Sequence, residues 1–105
     1  MGEFLKLVAS HCYHLHMELE ALGGHATRRV AIVQSKMVFE VHSPSHLALV
    51  EAWEHYRCLD ITVLERRGSR SKTIAAGPCP TDEEVASRLE ALKASIRPKP
   101  AEARA

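Results

Sequence analysis

The hydrophobic pattern of this chain changes its period at Gly23-Gly24. Before the two glycines, apolar residues fall within an arc of about 100° when plotted at the helical angle, which is typical of an amphipathic helix. They are Phe4, Leu5, Val8, Cys12, Leu15, Leu19 and Leu22. The glycines are the expected C-terminal stop of such a helix. The sequence therefore predicts a helix over residues 4–22, and the segments that follow are rich in β-branched residues, which favour strands.

Residues 28–42 are typical of a β-hairpin. Apolar and polar side chains alternate around Val30 and Ile32 and again from Met37 onwards, which is the period of a half-buried strand. Gln34-Ser35-Lys36 interrupts the pattern and is a candidate turn, although it lacks the Gly or Asn that a tight turn favours. The segment is therefore either a hairpin or one long bent strand.

A second hairpin is indicated over residues 60–77. Gly68-Ser69 places glycine at the first central position of a two-residue loop, as a type II′ turn requires. This turn fixes the register, in which Glu65 lies opposite Lys72, a favourable cross-strand pair. The other pairs in that register are Val63–Ile74, Arg66–Ser71 and Arg67–Arg70.

A middle helix is expected between the two hairpins. Ser43 and Pro44 form a helix-start signal, because serine caps a first turn and proline suits its first position. Four large apolar residues then share a face about 120° wide, which predicts a helix over residues 44–58. These four residues are Leu49, Val50, Trp53 and Tyr56.

A third helix is predicted over residues 82–97. Thr81 and Glu84 have the spacing of a capping box, and Pro98 ends the helix. Its narrow apolar stripe consists of Val85, Leu89, Leu92 and Ile96. Such a stripe either docks on the sheet of its own chain or forms the seam of a dimer. Because a small chain gains core by association, we expect a homodimer.

These elements predict one α+β domain over residues 1–97. Their order is α-ββ-α-ββ-α, with the helices packed on an antiparallel sheet. Residues 98–105 form a polar segment after the last helix and are expected to be a disordered tail.

Composition narrows the possible functions. The chain has 105 residues, and 14 basic against 13 acidic side chains leave a formal net charge of +1, which argues against a dedicated nucleic-acid binder. No apolar run approaches the length that crosses a bilayer, so no membrane association is expected. The cysteines are odd in number and widely spaced, as expected of reduced thiols in the cytoplasm.

The stretch His11-Cys-Tyr-His-Leu-His16 concentrates three imidazoles and a thiol within the first helix. On a helix, only His11 with His14, or Cys12 with His16, could share one ion. A zinc site needs three or four ligands, so this helix alone cannot supply one. These residues are therefore interpreted as boundary histidines around a core cysteine. A site of His42, His46 and either His11 or His14 remains a weak alternative, and His42 and His46 straddle a helix start.

The basic hairpin is the leading candidate for a binding site. Guanidinium groups bind carboxylate and phosphate through two parallel hydrogen bonds, so a turn crowned by arginines is a candidate anion clamp. Arg28 and Arg29 would extend the patch if the two hairpins lie side by side. The alternative is a solvated turn whose charges keep the end of a sheet soluble. The cations of this turn are Arg66, Arg67, Arg70 and Lys72.

The sequence carries no recognised catalytic motif and implies no cofactor. We therefore expect a non-catalytic protein-interaction module, a small cytoplasmic regulator, adaptor or inhibitor that binds a partner protein through the arginine-rich hairpin. A nucleic-acid-binding accessory protein that uses the same hairpin as a wing is one alternative, with weak binding expected from the net charge of +1. A histidine-dependent metal-binding protein is another.

Overall fold

Five strands that follow one another along the chain form one antiparallel sheet, preceded and followed by a helix. The computed structural model of the protein describes residues 2–21, 27–43, 46–65, 70–79 and 81–96. Its elements are helix α1 (Glu3–Ala21), strands β1 (Thr27–Val33), β2 (Lys36–His42), β3 (His46–Trp53), β4 (Cys58–Glu65) and β5 (Arg70–Ala75), and helix α2 (Asp82–Ile96). The strands lie in sequence order, so β1 and β5 are the two edges of the sheet. The predicted α+β class is confirmed, with two helices in place of three.

The two terminal helices lie close to their predicted positions. The carboxylate of Glu54 caps the start of α1, since it accepts hydrogen bonds from the amides of Phe4 and Leu5 at 3.3 and 3.1 Å. At the start of α2, the amide of Glu84 donates to the hydroxyl of Thr81 at 3.2 Å, as the capping box predicts. Among the described residues, no helix combines the length and the apolar character needed to cross a bilayer. The Gly23-Gly24 stop and the predicted tail lie outside the described residues.

Residues 28–42 form a hairpin, which excludes the single bent strand. Strands β1 and β2 pair without interruption from Thr27 with His42 to Val33 with Lys36. Gln34 and Ser35 are the two loop residues, and Gln34 has a φ of 57°. A positive φ at the first central position is what a type II′ turn needs, so the turn forms without the usual glycine.

Replacing Gln34 by Gly is expected to raise the free energy of unfolding by about 1 kcal/mol, because glycine adopts a positive φ without steric cost. Chemical denaturation of the two proteins measures this difference. Ser35→Gly is the matched control. Ser35 does not have a positive φ, and its hydroxyl lies 2.7 Å from Nε2 of His55, so this change should lower stability. A Gln34→Gly protein no more stable than the wild type would contradict this account of the turn.

The predicted middle helix over residues 44–58 is wrong, because most of that segment is strand β3. The hydroxyl of Ser43 accepts a hydrogen bond from the amide of His46 at 3.1 Å, and the amide of Ser43 donates to the carbonyl of His46 at 2.9 Å. Ser43 therefore joins the end of β2 to the start of β3 and caps no helix. Pro44 and Ser45 lie outside the described residues.

The buried positions of β3 are occupied mainly by small residues, which explains why this segment was predicted to be a helix. The buried positions are Ala48, Val50 and Ala52, while Leu49 and Trp53 lie on the other face of the strand. Alanine adds little to a hydrophobic pattern, so the large residues alone suggested a helical spacing. A strand sorts these large residues onto both of its faces.

The predicted β4–β5 hairpin exists, but its register is offset by two residues. Glu65 lies opposite Arg70, and Val63 lies opposite Lys72. Four residues, Arg66 to Ser69, therefore separate the paired ends in place of a two-residue turn, and they lie outside the described residues. The predicted Arg67–Arg70 pair does not belong to this ladder. The observed register places opposite charges across the strands and shifts between Ile61 and Thr62.

The core lies between the helices and one face of the sheet. Helix α1 lies against β2 and β3, α2 lies against β4 and β5, and the two helices contact each other. The sheet contributes alternate residues of its three central strands to this core. They are Met37, Phe39, Val41, Ala48, Val50, Ala52, Leu59, Ile61 and Val63. The other side of the sheet, here called the open face, bears half-buried side chains such as Val38, Leu49 and Trp53.

The apolar stripe of α2 belongs to the core of the single chain. Val85, Leu89, Leu92 and Ile96 are all buried within one copy of the protein. Since these side chains already pack inside the monomer, they are not available as an exposed dimer seam. A homodimer would need a different surface.

Candidate functional site

The basic residues selected from the sequence are divided between the two edges of the sheet. Arg70 and Lys72 lie on β5, whereas Arg28 and Arg29 lie on β1. Three strands separate these edges, which corresponds to roughly 19 Å at a spacing of about 4.8 Å between neighbouring strands. The two hairpins therefore do not lie side by side, and Arg28 and Arg29 do not extend the basic patch of β5.

Arg70 and Lys72 line a cavity between the β4–β5 hairpin and the C-terminal end of α2. Residues directly opposite each other in an antiparallel pair point to the same face, and Lys72 lies opposite the buried Val63. Both cations are therefore on the helix side of the sheet. The cavity has a volume of about 520 Å³. Its lining also includes His46, Glu65, Ala94 and Ser95.

The charges of this cavity are only partly balanced. Within the part of the chain that the structure describes, neither Arg70 nor Lys72 makes an ion pair or a side-chain hydrogen bond. Other cations do have partners, such as Lys36 with Glu51 at 3.0 Å and Arg57 with Asp82 at 3.0 Å. Glu65 is the one carboxylate among the described lining residues, so it offsets one of the two permanent positive charges. The cavity can therefore accept an anionic group.

The histidines that were candidate metal ligands are not brought together. His11 and His14 lie on α1, whereas Nε2 of His42 is 2.8 Å from a carboxylate oxygen of Glu40, on the open face. His46 lines the cavity beside β5. Across residues 2–21, 27–43, 46–65, 70–79 and 81–96, no three His, Cys, Asp or Glu side chains converge as metal ligands would.

The thiols are poorly placed for nucleophilic chemistry. Cys12, within the histidine-rich turn of α1, is fully buried, and burial raises the pKa of its thiol from 9.0 to about 12. Burial also raises the pKa of the Cys79 thiol, although the nearby Arg88 and Arg57 act in the opposite direction. A nucleophilic cysteine needs a thiolate, and burial disfavours the thiolate form of both residues.

A groove on the open face was missed in the sequence, because Trp53 was assigned to a helix. It has a volume of about 530 Å³ and lies beside the β1–β2 turn, with Val33, Val38, Trp53 and Tyr56 in its lining. The ammonium of Lys36 lies 4.8 Å from the centre of the Trp53 ring, a cation–π contact. In a strand, alternate residues face the same way, so the spacing of Leu47, Leu49 and Trp53 was the available signal.

Both the β5 cavity and the open-face groove are features of this chain's own geometry. No protein-family model, no curated protein and no solved structure matches the chain.

Proposed function

We propose that this chain is a non-catalytic protein-interaction module that binds an acidic segment of a partner protein in the cavity beside β5. The observation that supports the proposal is the presence of Arg70 and Lys72 on the helix side of one strand, with neither held in an ion pair by a described residue. The same proposal places the protein in the cytoplasm, which is supported by its three free cysteines.

The residues of the cavity have distinct roles in this proposal. Arg70 is suited to hold a carboxylate through two parallel hydrogen bonds, while Lys72 supplies a point charge on the same side of the strand. Glu65 lies across from Arg70 and lowers the net positive charge of the cavity. Because the net attraction is small, binding depends on the shape of the partner as well as on its charge. This favours a protein partner over the uniform backbone of a nucleic acid.

The proposal predicts that Arg70→Glu combined with Lys72→Glu weakens binding of a fluorescein-labelled, glutamate-rich peptide at least tenfold. The reason is that both changes replace attraction by repulsion at the peptide carboxylates. Fluorescence anisotropy measures the affinity. Arg28→Glu with Arg29→Glu is the matched control, since each double reversal lowers the formal net charge by four, from +1 to −3. The control should keep its affinity, and an equal loss in both variants would contradict a local site.

Competition between the labelled peptide and random-sequence duplex DNA distinguishes this function from that of a nucleic-acid-binding accessory protein. If two phosphates were neutralised by Arg70 and Lys72, log affinity would fall with log salt at a slope of about −1.8. For a protein-binding cavity we expect DNA to bind no better than about 10⁻⁴ M and to leave peptide binding unchanged. DNA that displaces the peptide with that salt slope would instead favour the nucleic-acid role.

A further inference from the structure

Strand β1 is an exposed edge along its whole length. All seven of its residues are exposed, and alternate residues of an edge strand direct unpaired N–H and C=O groups away from the sheet. The second half of β1 is apolar, and the exposed fractions of Val30, Ile32 and Val33 are 37%, 46% and 69%. Phe39 and Met37, the β2 partners of Val30 and Ile32, are fully buried. The helix layer therefore ends short of β1.

The other edge of the sheet has an irregularity in its pairing that β1 lacks. Strand β5 carries Arg70 and Lys72 on the helix side, and its pairing with β4 shifts register between Ile61 and Thr62. Charged side chains and irregular pairing both discourage a further strand from adding to an edge. In contrast, β1 pairs with β2 at seven successive positions without a shift, and its charges are confined to one end. Of the two edges, β1 is the one suited to pairing.

We propose that β1 pairs antiparallel with β1 of a second copy of this chain, about a twofold axis that passes through Ala31 perpendicular to the sheet. Ala31 then faces Ala31 of the second copy, and Val30 faces Ile32 in both directions. An axis in this direction keeps the helices of both copies on the same side. Two five-stranded sheets become one continuous sheet, and the exposed apolar side chains of β1 gain apolar cross-strand partners.

The charges of β1 favour this register. Within its own chain Arg29 lies opposite Glu40, and the guanidinium of Arg28 lies 4.4 Å from the centre of the Tyr13 ring. With the axis at Ala31, each arginine lies opposite an uncharged residue of the second copy. With the axis at Arg29, two arginines would face each other, a like-charge pair that destabilises a ladder. With the axis at Val30, Ile32 would face Arg28 and lose its apolar partner.

The surface beside β1 is apolar as well. Tyr13 meets the ring of Phe39 edge to face with centroids 5.4 Å apart, and Phe39 is the β2 partner of Val30. Tyr13 and Met17 on α1 are 39% and 64% exposed, so the apolar patch continues from β1 onto the helix layer. Pairing brings this patch close to its symmetric copy. Since both outer edges of the joined sheet are then β5, the assembly closes at two chains.

A disulfide between two copies tests the register. In Ala31→Cys the two new thiols face each other, because directly opposed residues have Cα atoms about 4.5–5.5 Å apart, within the range of a disulfide. Mild oxidation should therefore give a covalent dimer on a non-reducing gel. Val33→Cys is the matched control on the same face, where Val33 is 69% exposed, yet its thiols would be about 13 Å apart along the strand. The wild type, with its three free cysteines, gives the background.

Sedimentation tests the association itself. The wild type should sediment as two chains, and Ile32→Lys should sediment as one, because a lysine on the strand blocks the apolar pairing. Ile32 is half-exposed, so the variant should keep the wild-type melting temperature of its monomer fold. A wild type that stays monomeric at its highest soluble concentration would overturn the proposal. Cross-linking of Val33→Cys as efficient as that of Ala31→Cys would overturn it too. The β5 cavity lies at the opposite edge, so failure of either proposal leaves the other standing.

Discussion

Replacing Arg88 by Met is expected to lower the free energy of unfolding by about 3 kcal/mol. The guanidinium of Arg88 donates hydrogen bonds to the carbonyls of Leu59 at 3.1 Å, Gly77 at 2.7 Å and Pro78 at 2.8 Å. It thereby ties α2 to β4 and to the segment that follows β5. Each bond from a charged donor contributes about 1.5–3 kcal/mol, and water can replace the more exposed one at Pro78. Methionine keeps an unbranched apolar stem but removes all three bonds.

Two further substitutions show whether the carbonyl contacts cause this loss. Arg88→Lys keeps the charge but not the planar fork, so it should recover only part of the stability. Glu84→Gln removes the 3.8 Å ion pair of Arg88 with the half-exposed Glu84 and should cost about 0.3–0.5 kcal/mol. Urea denaturation of the four proteins measures these differences. An Arg88→Met protein within 0.5 kcal/mol of the wild type, on the order of a surface effect, would contradict this role.

Stability is expected to fall above pH 9 because Cys12 must stay protonated in the folded protein. Burial raises the pKa of its thiol from 9.0 to about 12. The folded pKa lies above the unfolded one, so the stabilisation is complete below pH 9.0 and is lost as the pH rises toward 12. The loss from this thiol is on the order of 1 kcal/mol at pH 10 and increases further toward pH 12.

The contribution of Cys12 is isolated by comparing stability profiles between pH 8 and pH 10. Cys12→Ala removes the thiol, so the stability of this variant should fall less than that of the wild type over this range, by on the order of 1 kcal/mol. Val8→Ala, at another fully buried position of α1, should lower the profile at every pH without changing its slope. Parallel wild-type and Cys12→Ala profiles would show that the thiol is not desolvated in the folded state.

Helical segments were predictable because their apolar residues are large and regularly spaced. In α2 the apolar stripe from Val85 to Ile96 and the cap at Thr81 predict a helix close to the one observed. Strand β3 was not predictable in this way, since two of its three buried residues are alanines. The position of the β4–β5 hairpin followed from its turn residues, but its register depends on which residues the helices bury. That information comes from tertiary packing and is absent from any local window of sequence.

The sequence indicated which cationic residues could form the candidate site, but not where the fold places them. Arg70 and Lys72 were identified from the basic turn, and both line the cavity beside β5. That Arg28 and Arg29 lie at the opposite edge follows from the order of five strands, which the sequence pattern does not encode. The exposure of β1 was also hidden, because Val30 and Ile32 have the spacing of a buried strand. Only the extent of the helix layer shows that they are exposed.

The sequential order of the five strands also determines how this chain can fold. Each strand pairs with its nearest neighbour along the chain, so the sheet can grow by adding one hairpin at a time, and each step closes a short loop at a small entropic cost. The contact between α1 and α2, which includes Lys93 with Glu18 at 3.5 Å, joins opposite ends of the chain. That contact closes a loop that contains all five strands, so it has the largest entropic cost of the contacts described here. The contact between the two helices is therefore expected to form late in folding.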